Sequence, residues 1–199
     1  MRFNVPNIIS LTRLVLSPVF FLFLIRETFI SVRIATIIYI VAAVTDFFDG
    51  WLARKYKKET NSGKFLDPLA DKFLTTAAFI AFVVMGIVPL WMVIIIIVRD
   101  FGTTFLRLHA DSQNKPIVTS LSAKIKTTLQ MFFIAYILCL IMLKYSSYFE
   151  NNQALIDSII YSDFTFIAML ILTIITVWTL FEYLYQNKLL FKNIFEPQK

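Results

Sequence analysis

The chain has few of the residues with which soluble proteins cover their surfaces. Of its 199 residues only 16% are charged and 58% are hydrophobic, whereas a soluble domain averages about 25% charged and roughly 45–50% apolar residues. Glycine occurs only four times, and a single cysteine, Cys139, allows no disulfide within the chain. These shortages exclude a disulfide-stapled scaffold and leave no room for a soluble domain of useful size.

Long apolar runs recur along the whole chain instead. Runs of about 20 residues are long enough for a helix to cross the hydrocarbon layer of a membrane. No small-residue cleavage site follows the first run, so it is expected to be retained. The sequence therefore predicts an all-α integral membrane protein, a single domain over residues 1–199 with six transmembrane helices. These helices are expected at residues 8–25, 31–53, 67–87, 89–108, 123–145 and 162–185.

The basic residues are unevenly distributed over the predicted helices. The net charge is +6, and all of the 19 Lys and Arg residues except Arg26, Arg33 and Lys144 fall toward one face. Because basic residues are enriched on the cytoplasmic side of membrane proteins, this face is expected to be cytoplasmic, and six spans put both termini there. We therefore expect a multi-pass protein of the cell (inner) membrane. The charges are interpreted as topology signals and lipid or phosphate contacts, not as a nucleic-acid surface.

Four aspartates stand out in this apolar background. Asp46 and Asp49 lie near the end of the second predicted helix, and Asp67 and Asp71 share one face of the third. A short basic loop joins the two helices, so antiparallel packing brings the carboxylates together at the cytoplasmic surface. Solvated helix caps are the alternative, but the helix dipole favours acids only at an N-terminus, which covers Asp67 but not Asp46 and Asp49. The cluster predicts one or two bound divalent cations such as Mg²⁺.

Small and basic residues accompany the aspartates. Gly50 and Ala53 leave the helix face bare beside the carboxylates, and Gly63 removes bulk just before the second pair. A flat group such as a base or a pyrophosphate can approach the backbone there. Arg54 offers a guanidinium fork for a phosphate.

The acidic and small residues together resemble the signature of the CDP-alcohol phosphotransferase family in type and spacing. The matching residues are Asp46, Asp49, Gly50, Ala53, Arg54, Gly63, Asp67 and Asp71. The resemblance implies a membrane enzyme with a six-helix core, commonly a homodimer, that displaces CMP from a CDP-linked alcohol with a second alcohol. It implies an active site at the cytoplasmic end of helices 2 and 3, where the four aspartates surround two Mg²⁺ or Mn²⁺ ions.

The same resemblance implies roles for individual residues. Asp71 is the base that takes the proton of the acceptor alcohol. Gly50, Ala53 and Arg54 line the CDP site, and Thr60 falls where some relatives contact the nucleotide.

Other segments bear on the acceptor. Residues 4–13, 99–107 and 123–131 resemble the phosphatidylglycerophosphate synthases, although Asp100 stands where Glu is usual and Ala123 where Gly is usual. Four cations near the carboxylates suit a dianionic phosphate such as that of glycerol 3-phosphate; for the two lysines, membrane-topology anchors are the alternative. The last two helices are expected to add only hydrophobicity. The candidate acceptor-phosphate ligands are Arg99, Arg107, Lys124 and Lys126.

The expected reaction joins CDP-diacylglycerol, drawn from the membrane lipids, to glycerol 3-phosphate and releases CMP. Phosphatidylglycerol or inositol phosphate as acceptor would instead make the chain a cardiolipin synthase or a phosphatidylinositol phosphate synthase. From other classes, acids on membrane helices could line the path of a divalent-cation transporter, or the chain could be an inactive scaffold. A transport path should carry polar residues at both membrane faces, whereas here they collect at one.

Overall fold

The structure, a computed structural model, describes the backbone of residues 5–56, 61–112 and 120–188. Side chains are described for residues 11–45, 69–111, 120–146 and 148–188. All regular structure in these ranges is helical, which confirms the all-α prediction.

Six long helices in the described ranges coincide with the six predicted ones, and two short helices lie between the last two. The long helices are α1 (Val5–Leu24), α2 (Phe29–Tyr56), α3 (Asn61–Val84), α4 (Leu90–Ser112), α5 (Leu121–Lys144) and α7 (Asp163–Gln186). The short ones are a 3₁₀ helix (Ser147–Asn152) and α6 (Gln153–Ile160).

Several helices extend beyond the apolar runs from which they were predicted. The second was expected to end at residue 53 and continues to Tyr56, and the third was expected to begin at residue 67 and begins at Asn61. The fourth likewise continues from residue 108 to Ser112. Apolar patterns mark the part of a helix that packs against other apolar groups, whereas backbone hydrogen bonding continues into polar turns. The aspartate motif therefore lies on helix rather than at helix ends.

The connection between α5 and α7 forms regular structure of its own. It contains the 3₁₀ helix and α6, whose Ile156 and Ile160 are buried against the core. These isoleucines are four residues apart and so share one face of the short helix. Their burial explains why this polar stretch folds back onto the bundle.

The helix ends away from the motif are tied together by side chains. Tyr145 donates a hydrogen bond to Glu27 (2.7 Å), and Tyr161 donates one to the carbonyl of Met85 (3.2 Å). The turn before α4 contains Gly86 at φ 73°, a left-handed conformation that glycine adopts without steric cost. These contacts hold the α1–α2 and α3–α4 connections against the segment between α5 and α7.

Packing around α1 and α4 determines which helices are neighbours in the bundle. α1 packs against both α2 and α3, while α4 packs against α3 and α7, and α5 packs against α7. Phe20, Phe82, Met92 and Ile134 are wholly buried where these helices meet. The helices α3, α4, α5 and α7 are therefore neighbours in the bundle.

Two of the described helices, α5 and α7, are long and apolar enough to cross a membrane, and shorter apolar helices cover Leu11–Leu24 and Phe29–Thr45. The outer face of α7 carries large apolar side chains, of which Trp178 is 69% and Phe181 66% exposed. Apolar side chains exposed in such numbers fit contact with lipid rather than with water.

Candidate active site

The acidic motif lies on α2 and α3, but most of its side chains fall outside the described ones. Both helices pack against α1. On α2 the motif residues are Asp46, Asp49, Gly50, Ala53 and Arg54, and on α3 they are Gly63, Asp67 and Asp71. Of these, only Asp71 has a described side chain. Thr60 lies outside the described residues.

Asp71 lines a cavity of about 500 Å³ between α3, α4 and α5. Pockets for small ligands have volumes of about 300–1,000 Å³, so the cavity is large enough for a substrate. Four cations and two carboxylates line it, an excess of positive charge that favours an anion. The charged lining residues are Lys72, Arg99, Arg107, Lys124, Asp71 and Asp111.

The Asp71 carboxylate is accessible from the cavity. Its side chain is 33% exposed, and one of its oxygens lies 3.4 Å from the Nζ of Lys72. An accessible carboxylate can coordinate a hard cation or accept a proton from a bound alcohol. No group of three or more Asp, Glu, His or Cys residues close enough to hold an ion occurs among the described side chains. Three of the four predicted ligands lie outside those side chains, so Asp71 alone can be placed.

Arg99 is held by two neighbours at the wall of the cavity. Its Nη1 donates to the Asp100 carboxylate at 3.2 Å, and its Nη2 donates to the hydroxyl of Thr179 on α7 at 2.9 Å. Its Nε has no hydrogen-bond acceptor among the described residues. Arg99 is only 7% exposed, so a buried guanidinium with a fixed orientation contributes to the cavity.

Asp100 is the acceptor at the centre of a buried polar network. Besides Arg99, it accepts hydrogen bonds from the Nζ of Lys126 and, at 3.3 Å, from the Nε2 of Gln130. Asp100 is 3% exposed and Lys126 is fully buried. A buried carboxylate needs partners of this kind because the desolvation of an unpaired charge is costly. The network joins α4 to α5 and includes Arg99 of the cavity wall.

Lys126 has different surroundings from the other predicted phosphate ligands. It forms an ion pair with Asp100 and is not among the residues that line the cavity. Lys124, by contrast, is exposed and lines the cavity. Two residues apart on a helix point about 200° away from each other, so α5 cannot present both lysines to one ligand. Gln130 lies one turn after Lys126 on the same face of α5, and it also donates to Asp100.

Arg107 lies two turns after Arg99 on the same helix, about 80° around its axis. Both arginines line the cavity, and the Nε of Arg107 is buried without a hydrogen-bond acceptor among the described residues. Of the four predicted acceptor-phosphate residues, the structure brings Arg99, Arg107 and Lys124 to one cavity together with Asp71.

Comparison with known proteins agrees with this chemistry. Residues 3–178 match the family of CDP-alcohol phosphatidyltransferases. The chain belongs to this family. It is therefore a phosphatidyltransferase, as the signature in α2 and α3 predicted.

Several relatives of this phosphatidyltransferase are curated as CDP-diacylglycerol–glycerol-3-phosphate 3-phosphatidyltransferases. The protein of Bacillus subtilis (strain 168) is 39% identical over 148 residues, which cover 68% of this chain and 77% of the relative. The protein of Haemophilus influenzae is 33% identical over 189 residues, covering 92% of this chain and 93% of the relative. The protein of Escherichia coli (strain K12) is 31% identical over 191 residues, covering 92% and 94%.

The last helix of this phosphatidyltransferase carries polar contacts that the sequence reasoning missed. It was expected to add only hydrophobicity, yet Thr179 contacts Arg99, and Glu182 accepts a hydrogen bond from Ser122 on α5. The signal was present in the spacing of three buried threonines on α7, Thr173, Thr176 and Thr179. Hydroxyls repeated every third residue form one polar stripe on an otherwise apolar helix.

Proposed function

We propose that this enzyme transfers the phosphatidyl group from CDP-diacylglycerol to glycerol 3-phosphate, forming phosphatidylglycerophosphate and CMP. The observation that carries the proposal is one cavity that combines Asp71 of the family signature with Arg99, Arg107 and Lys124. Relatives that cover most of both chains bear the name of this activity.

The acceptor phosphate binds to the cationic side of the cavity. Arg99 and Arg107 offer guanidinium groups, which donate to phosphate oxygens in a planar fork, and Lys124 adds a mobile ammonium group. Arg99 and Arg107 each have a buried Nε that lacks a hydrogen-bond acceptor among the described residues. A phosphate dianion supplies the acceptors and the negative charge that such a group of cations requires.

The divalent ions belong to the aspartates of α2 and α3. Oxygen donors of this type suit Mg²⁺ or Mn²⁺, and the accessible carboxylate of Asp71 fits a place in that set. When bound, two such ions would neutralise the negative charge of the pyrophosphate as CMP leaves. The proposed ligands are Asp46, Asp49, Asp67 and Asp71.

The CDP group lies along the small-residue face of the signature, where Gly50, Ala53 and Gly63 permit close approach to the backbone. Arg54 donates to a phosphate of the nucleotide, and Thr60 contacts the nucleotide as well. The diacylglycerol chains remain in the bilayer beside the helices.

Asp71 acts as the general base. It accepts the proton from the free primary hydroxyl of glycerol 3-phosphate, whose oxygen then attacks the lipid-linked phosphorus in line. The bond from that phosphorus to the oxygen of CMP breaks, and CMP leaves. The cations bind the phosphate end of glycerol 3-phosphate, and Asp71 on the same cavity wall contacts its hydroxyl end. The small substrate is thereby oriented for attack.

Six spans in the cell membrane, with both termini and the cavity on the cytoplasmic side, complete the proposal. The hydrogen bonds from Tyr145 to Glu27 and from Tyr161 to the Met85 carbonyl join helix connections at one end of the bundle, which supports long helices that alternate in direction. Four basic residues, Lys72, Arg99, Arg107 and Lys124, line the cavity, and basic residues are enriched on cytoplasmic surfaces. We propose a homodimer, as is common in the family.

The deciding experiment measures CMP release by the purified chain in lipid vesicles that contain CDP-diacylglycerol. We expect release with glycerol 3-phosphate and Mg²⁺, none after chelation with EDTA, and recovery when Mg²⁺ is returned. Phosphatidylglycerol and inositol phosphate are tested as acceptors in parallel. Turnover with one of these but not with glycerol 3-phosphate would refute the proposed acceptor, and ion flux through the vesicle membrane without CMP release would refute the proposed reaction.

A further inference from the structure

Arg99 owes its orientation to a helix outside the family signature. Its two guanidinium contacts go to Asp100, the next residue of α4, and to Thr179, 80 residues further along the chain on α7. The Asp100 contact lies within one helix and moves with it. Among the described residues, Thr179 is the one on another helix that Arg99 contacts directly.

The Thr179 hydroxyl is well suited to hold a guanidinium. Its own proton is donated to the carbonyl oxygen of Thr176 at 2.9 Å, while its oxygen accepts from the Nη2 of Arg99 at 2.9 Å. The side chain is 1% exposed, so water does not compete for either bond. Because the hydroxyl proton is committed to the backbone, the oxygen lone pairs remain directed at Arg99.

We propose that Thr179 is a positioning residue for the acceptor substrate. It holds the Arg99 guanidinium in one orientation, so that the donors not used by Asp100 and Thr179 are directed at the acceptor phosphate. An arginine that is ordered before binding loses less conformational entropy when the phosphate arrives. The inference rests on the proposed function, in which Arg99 binds that phosphate.

This role is distinct from general packing of the last helix. Thr179 lies one residue beyond the stretch that matches the family, so the family match does not assign it. Its neighbour Thr176 is also buried, but the Thr176 hydroxyl donates to the carbonyl of Leu172 in its own helix. The two threonines thus offer a matched pair, of which one contacts the cavity arginine and the other serves α7 alone.

The test compares Thr179→Ala with Thr179→Ser, which differ by a single oxygen atom, and with Thr176→Val. Steady-state kcat and the KM values for both substrates are measured in vesicles, with the melting temperature as a check on folding. We expect Thr179→Ala to raise the KM for glycerol 3-phosphate about tenfold, the effect of one hydrogen bond to a charged group. The kcat and the KM for CDP-diacylglycerol should stay close to wild type, and Thr179→Ser should restore most of the affinity.

Several outcomes would overturn the inference. A wild-type KM in Thr179→Ala would do so, and so would an equal rise in Thr176→Val, since that result would indicate loosening of the whole helix. Should Thr179→Ala not fold, Thr179→Val, which keeps the branched shape without the hydroxyl, replaces it in the same comparison.

An Arg99→Lys variant separates this inference from the proposed function. If Arg99→Lys raises the KM for glycerol 3-phosphate and Thr179→Ala does not, only the positioning role fails. If Arg99→Lys leaves that KM unchanged, the phosphate site itself is wrong, and the role of Thr179 falls with it.

Discussion

Replacing Lys126 with methionine tests whether this lysine is a counter-ion or a substrate ligand. The side chain is fully buried and forms an ion pair with the buried carboxylate of Asp100. Methionine has a similar length and flexibility but carries no charge. The substitution therefore removes the ammonium group and leaves little empty space.

The expected effect is on stability. Removing one partner of a buried ion pair costs about 3–5 kcal/mol, because the other charge stays desolvated. Asp100 keeps hydrogen bonds from Arg99 and Gln130 after the change, so we expect the lower end of that range. At about 2–4 °C per kcal/mol for a chain of this size, a loss of about 3 kcal/mol lowers the melting temperature by roughly 6–12 °C.

The assay is thermal unfolding in detergent, followed by steady-state kinetics below the melting temperature. Lys124→Met is the matched control, because Lys124 is exposed on the same helix and lines the cavity. It should melt like the wild type but show a raised KM for glycerol 3-phosphate. If Lys126→Met also melts like the wild type and shows the raised KM, Lys126 is a phosphate ligand and the counter-ion interpretation is refuted.

Two further substitutions test the general base and the far end of the bundle. Asp71→Asn should lower kcat about 10²- to 10⁴-fold, the usual contribution of a general base, with an unchanged melting temperature; full activity in this variant would remove Asp71 from that role. Tyr145→Phe removes the hydrogen bond to Glu27 and should lower stability by about 0.5–1.5 kcal/mol, whereas Tyr148→Phe, at a residue that is 93% exposed, should not. Burial and the Glu27 carboxylate raise the pKa of Tyr145. Its neutral form is thus favoured in the folded state, and the difference between Tyr145→Phe and wild type should persist at neutral pH and shrink only above about pH 10; equal stability of the two proteins at pH 7 would contradict this.

The sequence was sufficient to predict the number, order and approximate position of the long helices. Each apolar run is long enough to be recognised without reference to the others, as the match of α1 through α5 and α7 to the predictions illustrates. It was not sufficient for the polar ends of the helices or for α6. Those depend on backbone hydrogen bonding and on contacts such as the burial of Ile156 and Ile160, which hydropathy does not record.

The candidate site divides in the same way. Arg99, Arg107 and Lys124 were predicted from residue type and family likeness, and they line one cavity with Asp71. Lys126 was grouped with them because it is a cation near the same helix end. The spacing of two residues between the lysines argued against that grouping, since such neighbours lie on opposite sides of a helix. The two lysines are therefore expected to have different roles, which the comparison of Lys126→Met with Lys124→Met tests.

The sequence by itself determined which helices form, where the acidic signature falls on them and to which enzyme family the chain belongs, because these properties depend on residues close together in the chain. The tertiary structure decided which buried groups meet. Asp100 accepts from Lys126 and Gln130 on α5, and Thr179 of α7 holds Arg99. Such contacts join residues 26 to 80 positions apart, and they depend on how each helix is rotated against its neighbours, which local periodicity does not specify.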